Sequence, residues 1–184
     1  IRDVETMARL DAEARRGLES VELVADAMIG EVLRANGNTR AIESALDSLA
    51  MQADVLLKGD VRMGLTISRE ARAALSVDLS DGKPVRKPLH WPLEFPEVFT
   101  RGGFDAAIGN PPFLWGMRIS TFYGDAYLRL LQVNAGRPVG TADFCSHFFL
   151  RVKKILIPGG CLGLLATETI STGDTRELAL DVLT

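Results

Sequence analysis

Asn110-Pro111-Pro112-Phe113 is the stretch of this sequence whose residue types and order best suit chemistry. An asparagine carbonyl accepts hydrogen bonds. Two successive prolines fix the backbone and remove amide donors beside it, and an aromatic ring comes next. Such a set offers a ligand a hydrogen-bond acceptor and an aromatic face on a stiff backbone. The preceding Phe104-Asp105-Ala106-Ala107-Ile108-Gly109 is a short apolar run that fits a buried strand. In open α/β sheets ligands sit at the carboxyl ends of strands, where this tetrapeptide falls. With proline at about 5% of residues, an Asn/Asp/Ser-Pro-Pro-aromatic match arises by chance in fewer than about one such chain in a hundred.

The elements that position this tetrapeptide are read from patterning. Helical spacing resumes near residues 123–134 and strongly over 141–157, where Phe144, Phe148, Val152 and Ile155 share a face. Ile157-Pro158-Gly159-Gly160 is expected to end that helix, Cys161 to Thr167 to form a second buried strand, and 173–183 another helix. Strand, helix, strand, helix with buried strands predicts an α/β architecture around a parallel sheet. Residues 80–101 are broken by Pro84, Pro88, Pro92 and Pro96 and read as an irregular, aromatic-anchored connection. Thr141 or Asp143 suits a helix N-cap, and His147 lies one turn further on as a packed or partly exposed histidine. Arg151, Lys153 and Lys154 form a short basic cluster of the kind that usually ends a helix in solvent. Trp115 and Arg118 lie close enough behind the motif to approach a ligand or merely to pack.

Composition divides the 184 residues near position 80: all 12 aromatic residues and all 8 prolines lie beyond it. Residues 1–80 carry a net charge of −4 and residues 81–184 a net charge of +1. The first segment reads as packed amphipathic helices, with Met7, Leu10, Ala14 and Leu18 in an early stripe, then Val21 to Leu33, a stop at Asn36-Gly37-Asn38, and a stripe from Ile42 to Leu56. Such a segment suits an insert or spacer, and nothing in it resembles a catalytic set. The hydrophobic share of 47% excludes wholesale disorder, and no apolar run approaches the ~20 residues of a membrane span. A net charge of −3 supplies no basic footprint for nucleic acid over the chain as a whole. Two cysteines and two histidines make neither a disulfide framework nor a four-ligand zinc site, so no metal is expected. Cys145 and Cys161 are read as packed thiols in a reducing, cytoplasmic setting. The chain opens on Ile1 and is expected to be a fragment of a longer protein.

Phe104 to Phe113 resembles the catalytic motif of class I S-adenosylmethionine-dependent amino-methyltransferases, most closely the N6-adenine DNA methyltransferases. His90-Trp-Pro-Leu-Glu-Phe-Pro-Glu-Val-Phe99 looks like the lead-in of large restriction–modification methylases of the type IIG kind. Thr141 to Leu150, Pro158-Gly-Gly and Leu164 to Ile170 look like the helix, turn and strand downstream of the motif in the same enzymes, and Gly173-Asp-Thr-Arg176 continues that pattern. The resemblance spans about residues 88–184. It implies a Rossmann-like methyltransferase sheet, of which this chain holds the later strands, preceded by an all-helical segment; the corresponding domains are 1–80 and a partial catalytic domain over 81–184. It further implies S-adenosylmethionine as methyl donor and double-stranded DNA with a flipped adenine as partner. Asn110, Pro111, Pro112 and Phe113 are then the catalytic residues, with Asn110, Pro112, Asp105 and Asp143 near the donor. In such a site Asn110 and the Pro111 carbonyl orient the adenine amino group, Phe113 stacks on the base, and no cysteine nucleophile is needed.

A self-contained enzyme of this kind also needs a strand leading into a glycine-rich turn and an acid for the ribose. Gly102-Gly103 precedes the wrong strand and Gly159-Gly160 is read as closing a helix, so these parts, and target recognition, are expected from the remainder of a parent polypeptide. The isolated chain is expected to be inactive. The same tetrapeptide occurs in N4-cytosine DNA methylases and in methyltransferases acting on a protein glutamine, and a non-catalytic interaction module on the same fold is a further alternative.

Overall fold

A computed structural model of the chain describes residues 2–136, 138 and 141–183. They divide into two compact units, one formed by 1–77 with 82–94 and the other by 78–81 with 95–184. Residues 82–94, which composition groups with the second half, pack with the helices.

The first unit is three long helices: α1 (Arg2–Ala35), α2 (Thr39–Leu57) and α3 (Val61–Leu75). Asn36 and Gly37 take left-handed backbone angles and stop α1. The Asn38 side chain then accepts from the Ala41 amide, and the Asp60 side chain from that of Met63, so both later helices start on a cap. Ala27, Leu49, Leu56, Ile67 and Ala71 form the core between the three helices. Packing of the early stripe is not realised, because Met7 and Leu10 are exposed. The reason is length: at ~1.5 Å per residue, α2 and α3 reach along only the later part of the 34-residue α1. The proline-punctuated connection returns to these helices. Arg86 donates to the carbonyls of Leu75 and Val77, His90 Nε2 lies 2.7 Å from Asp26 Oδ1, and a short helix α4 (Trp91–Glu94) comes next.

The second unit opens with α5 (Pro96–Thr100), and Phe95 and Phe99 meet the Phe104 ring edge-on. Strand β1 (Phe104–Gly109) pairs in parallel with β2 (Leu156–Leu164). The crossover that a parallel pair requires runs through a 3-10 turn at Gly116–Arg118, then α6 (Ile119–Tyr123), α7 (Asp125–Ala135) and α8 (Phe144–Ile155). The α7 N-terminus has only Gly124 at its cap, and Asp78 accepts the Ala126 amide in its place. After β2 come a 3-10 turn at Glu168–Ser171 and α9 (Gly173–Ala179), which packs on α8 around Leu178 and Ala142. The α/β class and the parallel pairing agree with the sequence reading.

Three local expectations are corrected. Pro158-Gly159-Gly160 does not close the helix; α8 ends at Ile155 and these residues lie inside β2, where the register slips between Phe104 and Ala106 to take up the extra chain. Neither strand is buried throughout: Ile108 is 90% exposed, because among the described residues the sheet has two strands and β1 has a free edge and an uncovered face. Cys161 therefore sits within β2 and is exposed, whereas Cys145 is buried in α8 as expected.

Candidate active site

The two strand exits are held side by side. Beyond the β2 end, the Leu165 amide donates to the Gly109 carbonyl at 3.1 Å, at the point where β1 gives way to Asn110. Asn110, Pro112 and Phe113 are exposed and Pro111 is buried, so the turn is anchored by one proline while its chemistry faces out. Phe113 is 53% exposed. Asp105 is exposed near the opposite end of β1 from the motif.

The segment leaving the motif is pinned to the start of α8. The Phe144 amide donates to the Leu114 carbonyl at 2.8 Å. Gly116 lies flat against Thr141 and Ala142, where any Cβ would come 2.5 Å from the Ala142 carbonyl oxygen. Only glycine fits this approach.

The loop after β2 reaches the same place from the other side. Asp143 is buried at the N-cap position of α8 as the sequence suggests, but its side chain makes no capping bond. Its carboxylate accepts instead from the hydroxyls of Thr167, at 3.3 Å, and Thr169. The Asp143 amide donates to Thr175 Oγ1 at 3.1 Å, and Thr141 donates to Asp174 at 2.6 Å.

Between these segments opens a cavity of about 290 Å³, lined by Trp115, Gly116, Asp143, Thr169, Asp174 and Thr175 among others. Among the described residues its lining has two carboxylates, several hydroxyls and no basic side chain, and Trp115 at its wall is 68% exposed. Such a lining repels phosphate and favours a cationic or N–H-bearing planar group. The sequence singled out Asp143 and Trp115 but not the loop threonines; the Thr167-Glu168-Thr169 spacing, which sets two hydroxyls two residues apart beyond a strand, was the available signal.

His147 is buried one turn into α8, its Nε2 has no hydrogen-bond partner among the described residues, and burial lowers its pKa from 6.5 to about 4. It is neutral at pH 7. The basic cluster is occupied structurally: Lys153 donates to the Val182 carbonyl and Lys154 to that of Asn134. Arg118 is exposed. Among the described residues no group of three or more His, Cys, Asp or Glu side chains could hold a metal ion, and no helix is long and apolar enough to cross a membrane.

The chain matches no curated protein and no solved structure. Residues 38–180 match the family described as Eco57I restriction-modification methylase, a span that takes in both strands, the Asn110–Phe113 turn and the Asp143 region as well as α2 and α3. With the greater part of its length matched, the chain belongs to the Eco57I restriction-modification methylase family.

Proposed function

We propose that this chain is the later part of a DNA methyltransferase that moves a methyl group from S-adenosylmethionine to the N6 amino group of adenine in double-stranded DNA, within a cytoplasmic restriction–modification or phage-defence system. The observation that carries the reading is the Asn110 amide, exposed and without a side-chain hydrogen bond among the described residues, at the end of β1 and directly before a rigid proline pair and an exposed aromatic ring.

The adenine amino nitrogen is a weak nucleophile because its lone pair is delocalised into the ring. In this reading Asn110 Oδ1 and the Pro111 carbonyl accept its two hydrogens and turn the lone pair toward the donor. Phe113 stacks on the base, which must leave the duplex to be reached. Its half-exposed ring offers a face for this without rearrangement of the core. The bound donor supplies an electrophilic methyl on a sulfonium, so positioning and electrostatics are what the protein must add.

The residues present fit such a donor in part. The cavity bordered by Trp115 and Gly116 just past the motif carries the Asp174 carboxylate on its wall and no basic side chain among the described residues, which suits a positively charged sulfonium compound. Neither strand exit is a glycine-rich turn into a helix: β1 runs into the proline pair and β2 into a 3-10 turn. We assign the donor's nucleotide cradle and target recognition to the remainder of the parent polypeptide. Asp143 lines the cavity, whereas Asp105, at the far end of β1, takes no part in this reading.

The test is transfer of labelled methyl from S-adenosylmethionine to DNA by the complete enzyme, followed by digestion to nucleosides. Label is expected in N6-methyladenine, and Asn110→Ala is expected to lower turnover by about 100-fold or more without loss of fold. Label in N4-methylcytosine would replace the proposed acceptor, and no label in any nucleoside would overturn the DNA reading. Unchanged turnover in Asn110→Ala would leave the motif as scaffold.

A further inference from the structure

We propose that Asp143 is a positioning residue, one that holds the loop after β2 against the segment leaving the Asn110–Phe113 turn and acts on substrate only through that loop. The inference deepens the methyltransferase reading and rests on it. A solvent-facing aspartate at an N-cap would spend its carboxylate on the first-turn amides. Here the side chain forgoes that bond, and it is buried with no cation near enough to pair with it among the described residues. A buried carboxylate persists only with partners, and its partners are the hydroxyls of Thr167 and Thr169, which also lie 2.7 Å from each other. The backbone of the same residue is engaged as well: its amide donates to Thr175 and its carbonyl accepts from Ser146 Oγ at 2.6 Å.

The next residue, Phe144, carries the amide that holds Leu114. Two consecutive residues at the start of α8 therefore fasten both strand exits, one on each side of the cavity. Thr169 and Thr175, held by Asp143, form part of the cavity wall together with Trp115 and Gly116. A wall displaced by about 1 Å is enough to cost a transfer reaction about 100-fold.

In the complete enzyme, Asp143→Ala is expected to lower kcat/KM for methyl transfer by about 100-fold, while Asp143→Asn, which keeps a carbonyl acceptor for both hydroxyls, stays within about 5-fold of the parent. Thr169→Val is expected to cause a partial loss alone and none further on the Asp143→Ala background. Both Asp143 variants should melt above the assay temperature. Equal losses in the Ala and Asn variants would mean that the negative charge itself meets donor or substrate, and would overturn the positioning role. Hydrogen exchange on the chain separates this from the methyltransferase reading. Residues 165–175 should lose protection in Asp143→Ala and keep it in Asp143→Asn, with the β1–β2 pairing unchanged in both. Protection unaltered by Asp143→Ala overturns the proposal, whereas absence of methyl transfer by the parent enzyme with this exchange pattern intact overturns only the reading of the reaction.

Discussion

His147 and Asp143 sit one helical turn apart and are both buried, but their side chains are partnered differently. The Asp143 carboxylate accepts from the Thr167 and Thr169 hydroxyls; His147 Nε2 has no partner among the described residues, and burial lowers the His147 pKa from 6.5 to about 4. Between those values the unfolded chain binds a proton that the folded chain does not, so stability rises with pH across the window. The contribution of His147 is therefore fully present above pH 6.5 and is lost as pH falls toward 4. For a shift of this size the loss reaches about 2 kcal/mol by pH 5. Denaturant unfolding at pH 7 and pH 5 should show that loss in the second unit, and His147→Phe, which has nothing to protonate, should remove it. An unchanged pH dependence in His147→Phe would assign the effect to other groups. At the same scale Gly116 and Asn110 divide the work at the motif: one allows the backbone to lie on Thr141 and Ala142, the other keeps its amide in solvent.

The elements are held by local signals and by two close approaches. Capping by Asn38 and Asp60 starts α2 and α3, and Gly30 lets α1 approach α3, since a Cβ there would lie 2.8 Å from Ala74 Cβ. Gly30→Val is expected to destabilise the helical unit by about 1–3 kcal/mol through forced separation of these helices, read as a lower denaturant midpoint with an unchanged slope. A stability equal to the parent's would show that α1 and α3 tolerate a wider crossing. In the sheet, the parallel pairing of β1 and β2 ends with both exits level, Gly109 opposite Leu164, and this register sets the tetrapeptide beside the loop that Asp143 holds. The same pair leaves Ile108 uncovered, because two strands and the helices on one face cannot bury both faces of a strand.

Over the whole molecule the division in composition is also a division in charge. The aromatic-free helical segment carries a net charge of −4 and the segment with the motif +1, so neither offers a strong basic surface for a duplex. Phosphate grip and the donor's nucleotide cradle are, in the proposed reading, supplied by other parts of the enzyme. Calorimetric titration of this chain with S-adenosylmethionine or its demethylated product is then expected to show no binding at micromolar ligand. Saturable micromolar binding would place a complete donor site within these residues and would overturn that division of labour.

Much of this was legible in the chain because the signals are local. Hydrophobic periodicity, the Asn36-Gly37-Asn38 stop and the proline-rich connection depend on neighbours a few residues away, and so does the Asn110–Phe113 turn after its strand. Gly159 and Gly160 misled for the same reason: a glycine pair after a helix is a local stop signal, and only pairing with β1, about fifty residues earlier, draws Pro158 to Gly160 into a strand. Burial of Ile108 and Cys161 likewise depends on what lies across the sheet, which apolar character alone does not state. The contacts of Asp143 with Thr167, Thr169 and Thr175 span 24 to 32 positions and exist only because the crossover returns β2 alongside β1. The sequence by itself determined which residues stand at the strand end, since side-chain chemistry and chain stiffness are written residue by residue. Tertiary structure alone decided which loop is fastened to them, since that depends on parallel pairing between distant segments.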